Sequence, residues 1–499
     1  MTTFQDRIRQ TLAIDAGAPA IEFRGQWLTW GEVRRSVEAV DAALDAAGLP
    51  ADGAAGVILR NTPQHAAAVL SLFASDRCLV TLNAYYPDET LAADIRKLRP
   101  PVVVAASADW SRAGLKEAAA EIGAAGVELT GDPASPARAV AGLERIVGSD
   151  HFVPEPDVVV YMLTSGTTGP QKRVPLTRTR VLKSLEWGMR FERSRSLDDA
   201  PVLRRTVQIH HSSFVHVSGL WGFVNAVMGG FRVCMLEKFT VPEFRRALAA
   251  HRPRAASLPP AAIRMLLDSD VTRDELSSLV ALRAGTAALP PDLQDEAMER
   301  WGIPILANYG STEFTGVAGW SIDQYRQFYP AKRGAVGRLN ADYEARIRDE
   351  ATDEILPRGR EGVLELRTEA IWNGEWVRTT DRAILDEDDF LWITGRLDNA
   401  INRGGFKVHG EDIQKVLEQH PAVREAVVVG IPDRRLGQAP AAAVVLAQGA
   451  SLTAEELRAW ARGRLLPYQT PEAFRFVDEL PRTPSLKPML PAIRALFET

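Results

Sequence analysis

Two cysteines in 499 residues, Cys78 and Cys234, leave no disulfide framework and no cysteine-built zinc site. Long apolar runs are missing as well. None approaches the roughly 18 residues of a membrane span. The opening MTTFQDRIRQ lacks the charged-then-apolar order of a secretory leader. The net charge is only -5, so composition draws the chain neither to nucleic acid nor to an acidic membrane. Lysine is rare, nine against fifty arginines, which singles out each lysine in a loop. A reducing cytoplasmic setting is the expectation.

What is there is an ordinary globular balance, 46% apolar and 25% charged, in a chain too long for one ordinary domain. Apolar strand-like runs alternate with helical stretches in the first half. GAAGVILRN (53–61) reads as strand and turn, TPQHAAAVLSLFAS (62–75) as a helix opened by Thr and Pro, and PPVVVAAS (100–107) as a short buried strand. FRVCML (231–236) and IPILANYG (303–310) continue the alternation, which predicts parallel sheets wrapped by helices. From about residue 335 closely spaced alternating strands predict a small β subdomain. After GRLDNAINRGG (395–405) helix and strand return, and Thr453 with Glu456 has capping-box spacing. The expectation is an α/β protein. A large N-terminal domain (1–397) carries the parallel-rich sheets and the β subdomain. A smaller mobile α+β domain (398–499) follows, with a hinge near Asp398.

The apolar run VVVYML (158–163) leads into LTSGTTGPQKRVPLT (163–177), rich in hydroxyls and glycine and carrying Lys172 and Arg173. Glycines let backbone N–H groups converge, and hydroxyls and cations add to a nest for an anion. The Walker spacing is absent, and a mobile surface turn explains such a loop equally well in isolation. Further along come HHSSFVHVSGL with His211 and His216, RAGTAAL (283–289), NYGSTE (308–313), VRTTD ending at Asp381, TGRLDNAINRGGFKV, and PRTPSLKPML with Lys487. Taken singly, Glu313 reads as a capping carboxylate, Asp381 as a turn residue and Lys487 as a solvated lysine. No acidic or cysteine ligand neighbours His210, His211 and His216 in sequence, which argues against a metal there.

Their order along the whole chain resembles the AMP-forming acyl-adenylating superfamily, comprising acyl-CoA ligases, carrier-loading adenylation domains and luciferases. The resemblance implies ATP, Mg²⁺ and coenzyme A, with a small-molecule carboxylic acid as substrate. Thr164, Ser165, Gly166, Thr167, Thr168, Gly169 and Lys172 would cradle the pyrophosphate. Gly285, Thr286, Ala287 and Ala288 would line one side of the adenine, and Asn308, Tyr309, Gly310 and Ser311 the other. Thr312 would bond the α-phosphate, and Glu313, a hard oxygen ligand, would hold Mg²⁺. Asp381 suits the ribose hydroxyls, with Ile393 and Arg396 beside it. His216 would gate the acyl pocket. Lys487 would bring carboxylate and α-phosphate together, and after a rotation about Asp398, Gly404 and Gly405 would face the site and guide a thiol.

Four departures from the family pattern stand out. Pro170 and Gln171 are displaced and Arg173 replaces a glycine; Thr380 replaces the glycine before the ribose aspartate; Asp398–Asn399 replaces a charged pair; and Leu486 replaces the glycine before the lysine. The reading is an AMP-forming acid–CoA ligase for a hydrophobic monocarboxylic acid. Residues 214–219, 221–224, 285 and 315–319 are expected to line the acyl pocket. Loading of a separate carrier protein in trans is the alternative, since the sequence ends twelve residues after Lys487. An oxidative or a non-catalytic relative comes behind.

Overall fold

The computed structural model of the chain describes residues 3–163, 173–190, 198–311, 313–372, 374–397, 399–403, 406–433, 435–483 and 486–498. Residues 164–172, expected from the sequence to cradle pyrophosphate, together with Thr312, Asp398, Gly404 and Gly405, lie outside the described residues.

Four sheets organise the fold. Five parallel strands make the heart of a seven-stranded sheet, in the order Ala125–Leu129, Val102–Ala106, Ala54–Leu59, Cys78–Asn83 and Val158–Leu163. Their side chains are buried on both faces, so the sequence runs apolar instead of alternating. The helix Pro63–Ala74 packs here, opened by Pro63 at its first position, where the missing N–H costs nothing. Antiparallel strands Ala137–Ala139 and Arg173–Thr177 close the two edges. A four-stranded sheet joins Pro19–Phe23 and Gln26–Thr29 to Val207–His210 and Arg232–Met235. There Cys234 donates its thiol proton to Glu22, whose carboxylate also meets Arg246 and His251.

The strands after residue 335 form the expected β-rich part, packed on a core of its own around Ile347, Leu364, Leu366, Ala383 and Leu391, and this part joins the body through a shared strand. Ala255–Ser257, Ala281–Ala284 and Ile305–Ser311 run parallel, and six antiparallel strands continue the same nine-stranded sheet. Ile305–Ser311 is the junction, parallel to one neighbour and antiparallel to the other. A ligand crevice belongs at such a change of strand direction, beyond the carboxyl ends of the parallel strands.

Residues 400–476 build their own five-stranded sheet around the antiparallel pair Val423–Asp433 and Gly437–Leu446. Helix Gly410–Glu418 covers it, as does Ala454–Arg462, whose N-terminus carries the expected capping box of Thr453 and Glu456. Among the described residues no helix is long and apolar enough to cross a membrane.

Candidate active site

A cleft of about 2430 Å³ opens between the body and the C-terminal sheet. Its walls are the loop after Ala281–Ala284, the end of Ile305–Ser311, the strands Trp376–Leu385 and Phe390–Arg396, and the turn bearing Lys487. His216, Thr286, Ala287, Ala288, Asn308, Tyr309, Gly310, Ser311, Glu313, Asp381, Ile393, Arg396 and Lys487 all line it. Residues separated by up to 271 positions thus line one cleft.

Gly285 stands just behind this wall. A Cβ there would come within 2.4 Å of Asn308 Oδ1, so glycine leaves room for the Asn308 side chain to lie against this loop. Thr286 follows with φ of 71°, turning its backbone toward the cleft. Across from it Tyr309 donates its hydroxyl to Asp381 Oδ2 at 2.5 Å. Burial, reinforced by the Asp381 charge, pushes the Tyr309 phenol well above its usual pKa, so it stays a donor. Arg396 lies 3.7 Å from the other carboxylate oxygen and is also the cross-strand partner of Asp381. Thr380, which replaces the expected glycine, is accounted for: its Oγ1 accepts from Arg396 at 2.8 Å and fixes that guanidinium.

Lys487 reaches the cleft on a tight turn. The Thr483 N–H donates to the Lys487 carbonyl at 2.8 Å, and the Leu486 N–H to the Thr483 carbonyl at 2.8 Å. Arg482 clamps the turn by donating to the Leu486 carbonyl while pairing with Glu425. Leu486 itself has φ of 62°, the left-handed region that glycine occupies freely. Its side chain packs on the core of the body formed by residues such as Phe244, Leu258 and Leu293. A leucine in the glycine position therefore fastens the lysine turn to the body. Arg424 with Asp268 at 3.4 Å, and Lys415 with the Thr394 carbonyl at 3.1 Å, tie the two parts together nearby.

The Lys487 ammonium makes no ion pair among the described residues. Burial pulls its pKa below the usual lysine value; the Arg396 charge adds to that, and Glu313 opposes it. His216 lies close enough to feel the lysine charge. Burial first, and then Lys487, drop its pKa to about 4, so the imidazole is neutral at physiological pH. Glu313 also faces Arg180 from the helix Arg178–Arg190, a residue the sequence reading missed. The cleft thus holds a buried cation close to a carboxylate that makes no ion pair among the described residues.

Other expectations change. Arg173 is not a phosphate cation: it binds Asp94 through both terminal nitrogens, at 3.0 and 2.5 Å, and donates to the Thr81 carbonyl. It anchors the start of the strand Arg173–Thr177. Phe214, Phe223 and Val224 are core residues, not pocket wall. Ser184 and Asn225 take the wall positions instead. His211 bonds the Ser257 carbonyl while His210 stacks on Phe214, so the three histidines do not converge on a metal.

Residues 8–376 match the family described as AMP-binding enzyme, and residues 412–487 match the AMP-binding enzyme C-terminal domain. The chain belongs to the AMP-binding enzyme family. Its relatives include acyl-CoA ligases. The long-chain-fatty-acid–CoA ligase of Bacillus subtilis (strain 168) is 30% identical over 346 residues, which are 66% of this chain and 60% of that ligase. The 4-coumarate–CoA ligase 3 of Oryza sativa subsp. japonica is 26% identical over 494 residues, 94% of this chain and 87% of that one. The same fold occurs in ATP-bound MatB from Rhodopseudomonas palustris, with a TM-score of 0.80, 24% identity and 99% of each chain covered. In this AMP-binding enzyme the matched C-terminal domain ends at Lys487.

Proposed function

We propose that the cleft joins a carboxylic acid to AMP at the expense of ATP, and then passes the acyl group to the thiol of coenzyme A. The observation that carries this reading is the unpaired Lys487 ammonium held in the cleft beside Glu313, Arg396 and His216.

In the first step a carboxylate oxygen attacks the α-phosphorus of ATP. The bond from that phosphorus to the bridging oxygen breaks, and pyrophosphate leaves with its electrons. Two anions must meet, and Lys487 between them lowers that barrier electrostatically. The neutral His216 ring adds no competing charge and shapes the mouth of the acyl pocket. Asp381, oriented by Tyr309, Arg396 and Thr380, accepts hydrogen bonds from the ribose hydroxyls. Thr286 to Ala288 and Tyr309 face the base, and the loop 164–172 with Thr312 binds the phosphates. Mg²⁺ fits the donor set: Glu313, whose carboxylate makes no ion pair among the described residues, would hold it with an oxygen ligand. It would neutralise phosphate charge there.

In the second step the thiol sulfur attacks the acyl carbon, the thiol proton is lost and AMP departs. Lys487 must leave for the thiol to enter. Rotation of residues 398–499 about Asp398 withdraws it and brings Gly404 and Gly405 forward. The acid is largely apolar, as Val217, Trp221 and Phe314 on the cleft wall suggest.

The test incubates the chain with Mg²⁺-ATP, a panel of acids and free CoA, and follows AMP and acyl-CoA together. Equal amounts of both support the reading. AMP and acyl-AMP without any thioester would move the acceptor to a carrier protein's phosphopantetheine arm.

A further inference from the structure

Among the described residues, one wall of the cleft carries buried polar atoms without a hydrogen-bond partner. On the helix Val217–Met228, the residues Val217, Trp221 and Asn225 recur every four positions, so they share one face, and all three line the cleft. Trp221 Nε1 and Asn225 Oδ1 are buried without a hydrogen-bond partner. Ser184, on the adjoining helix Arg178–Arg190, adds an unpartnered Oγ to the same cleft. Trp221 is 9% exposed and Ser184 7%, so bulk water does not satisfy them. His216, at the helix N-terminus, adds a fourth orphan, Nε2.

Folded proteins leave few such atoms, and each costs about 1–3 kcal/mol. Several on one wall of a binding cleft point to a ligand that supplies the missing partners. The chemistry of that partner follows from the side chains. Indole N–H only donates, the amide oxygen only accepts, and the serine hydroxyl does either. No charged side chain stands among Ser184, Val217, Ser218, Trp221 and Asn225, so neither a second carboxylate nor an ammonium is matched.

The helix also sets a length. His216, beside Lys487, marks the reacting end. Trp221 and Asn225 are five and nine residues further along, roughly 7 and 13 Å at about 1.5 Å per residue. That is the reach of an aromatic ring with a short acid arm, or of a medium-length chain.

We infer that the acid activated here carries an uncharged hydrogen-bonding group, a hydroxyl or an amide, at its end remote from the carboxylate, and that Trp221, Asn225 and Ser184 read it. This rests on the adenylation reading above and narrows the hydrophobic monocarboxylic acid expected from sequence. The remote group donates to Asn225 Oδ1 and accepts from Trp221 Nε1, so an apolar analogue leaves both atoms buried and unpaired.

Acid-dependent ATP–pyrophosphate exchange by the full chain tests it, using matched pairs of acids that differ only at the remote end. Suitable pairs are 3-(4-hydroxyphenyl)propanoate against 3-phenylpropanoate, 4-carbamoylcinnamate against cinnamate, and 8-hydroxyoctanoate against octanoate. The polar member of at least one pair should show roughly tenfold or higher kcat/KM, about the worth of one buried neutral hydrogen bond. Asn225→Leu, which keeps bulk, and Trp221→Phe, which removes the N–H with part of the ring, should shrink that ratio toward one by improving the apolar member. Thermal unfolding confirms that each variant is folded, and Trp221→Phe, which removes the N–H together with part of the indole, serves if Asn225→Leu does not fold. Equal or better use of the apolar member in every pair overturns the inference and leaves adenylation standing, with water filling the wall. A preference that survives both variants also overturns it. Exchange with no acid of either kind removes the adenylation reading and this inference with it.

Discussion

Leu486 makes the sharpest quantitative test, because its backbone and its side chain pull in opposite directions. At φ of 62° a residue with a Cβ pays about 1–2 kcal/mol that glycine does not. The leucine side chain is partly buried against the core of the body, where full burial would be worth about 1.5–3 kcal/mol and partial burial about 1. Leu486→Gly relieves the strain but loses the contact and adds roughly 0.5–1 kcal/mol of chain entropy. Its stability should therefore stay within about 1 kcal/mol of the parent. Leu486→Ala keeps the strain and loses the contact, so it should be the less stable variant by roughly 0.5–1 kcal/mol. Chemical denaturation of the three proteins measures this directly. The contact also holds Lys487 in the cleft. Losing about 1 kcal/mol of docking changes the ratio of docked to undocked turn about fivefold. Thioester formation from preformed acyl-AMP should therefore quicken in both variants, provided undocking limits it. A glycine variant less stable than the alanine variant would refute the backbone argument. Unchanged thioester rates in both would refute the latch.

Arg173→Ala should destabilise the fold by about 1.5–3 kcal/mol, because Asp94 is left unpaired and the Thr81 carbonyl loses its donor. Arg173→Lys should not restore the loss, since the pairing uses both terminal nitrogens; urea unfolding reads both, and a change below about 0.5 kcal/mol would contradict the anchoring role. Glu418 is half-buried on the cleft wall, and desolvation raises its pKa from 4.5 to about 7 although it accepts from the Ala426 N–H and Gln414. Its folded pKa exceeds its unfolded one, so its contribution is full below pH 4.5 and is lost as pH rises through about 7. Glu418→Gln should thus gain stability on the parent between pH 5 and 8, by at most on the order of 3 kcal/mol. A gap in melting temperature that stays constant across that range would contradict this.

Much of the fold was legible because buried parallel strands must run apolar: Val158–Leu163 and Val102–Ala106 are unmistakable in the sequence. The helix Pro63–Ala74 and the Thr453 box announced themselves through local chemistry. The β subdomain was legible from its closely spaced strands, whereas spacing does not show which sheet they join, and Ile305–Ser311 links them to the parallel strands of the body. The candidate site was legible as a set of motifs, not as geometry. Arg173 looked like a phosphate ligand because its partner, Asp94, is 79 residues away. Ser184 was invisible for a similar reason, its place being fixed by packing between helices. Asn225 had a signal, its four-residue spacing from Val217 and Trp221, which an apolar reading of that helix passed over.

The measurement that bears most directly on the central claim is carboxylate-dependent exchange of labelled pyrophosphate into ATP, run with Mg²⁺ beside Lys487→Ala. Adenylation at this cleft predicts exchange that requires an acid and falls at least about a hundredfold in the folded variant. Exchange that proceeds equally well without Lys487, or no exchange with any acid despite bound ATP, would contradict it.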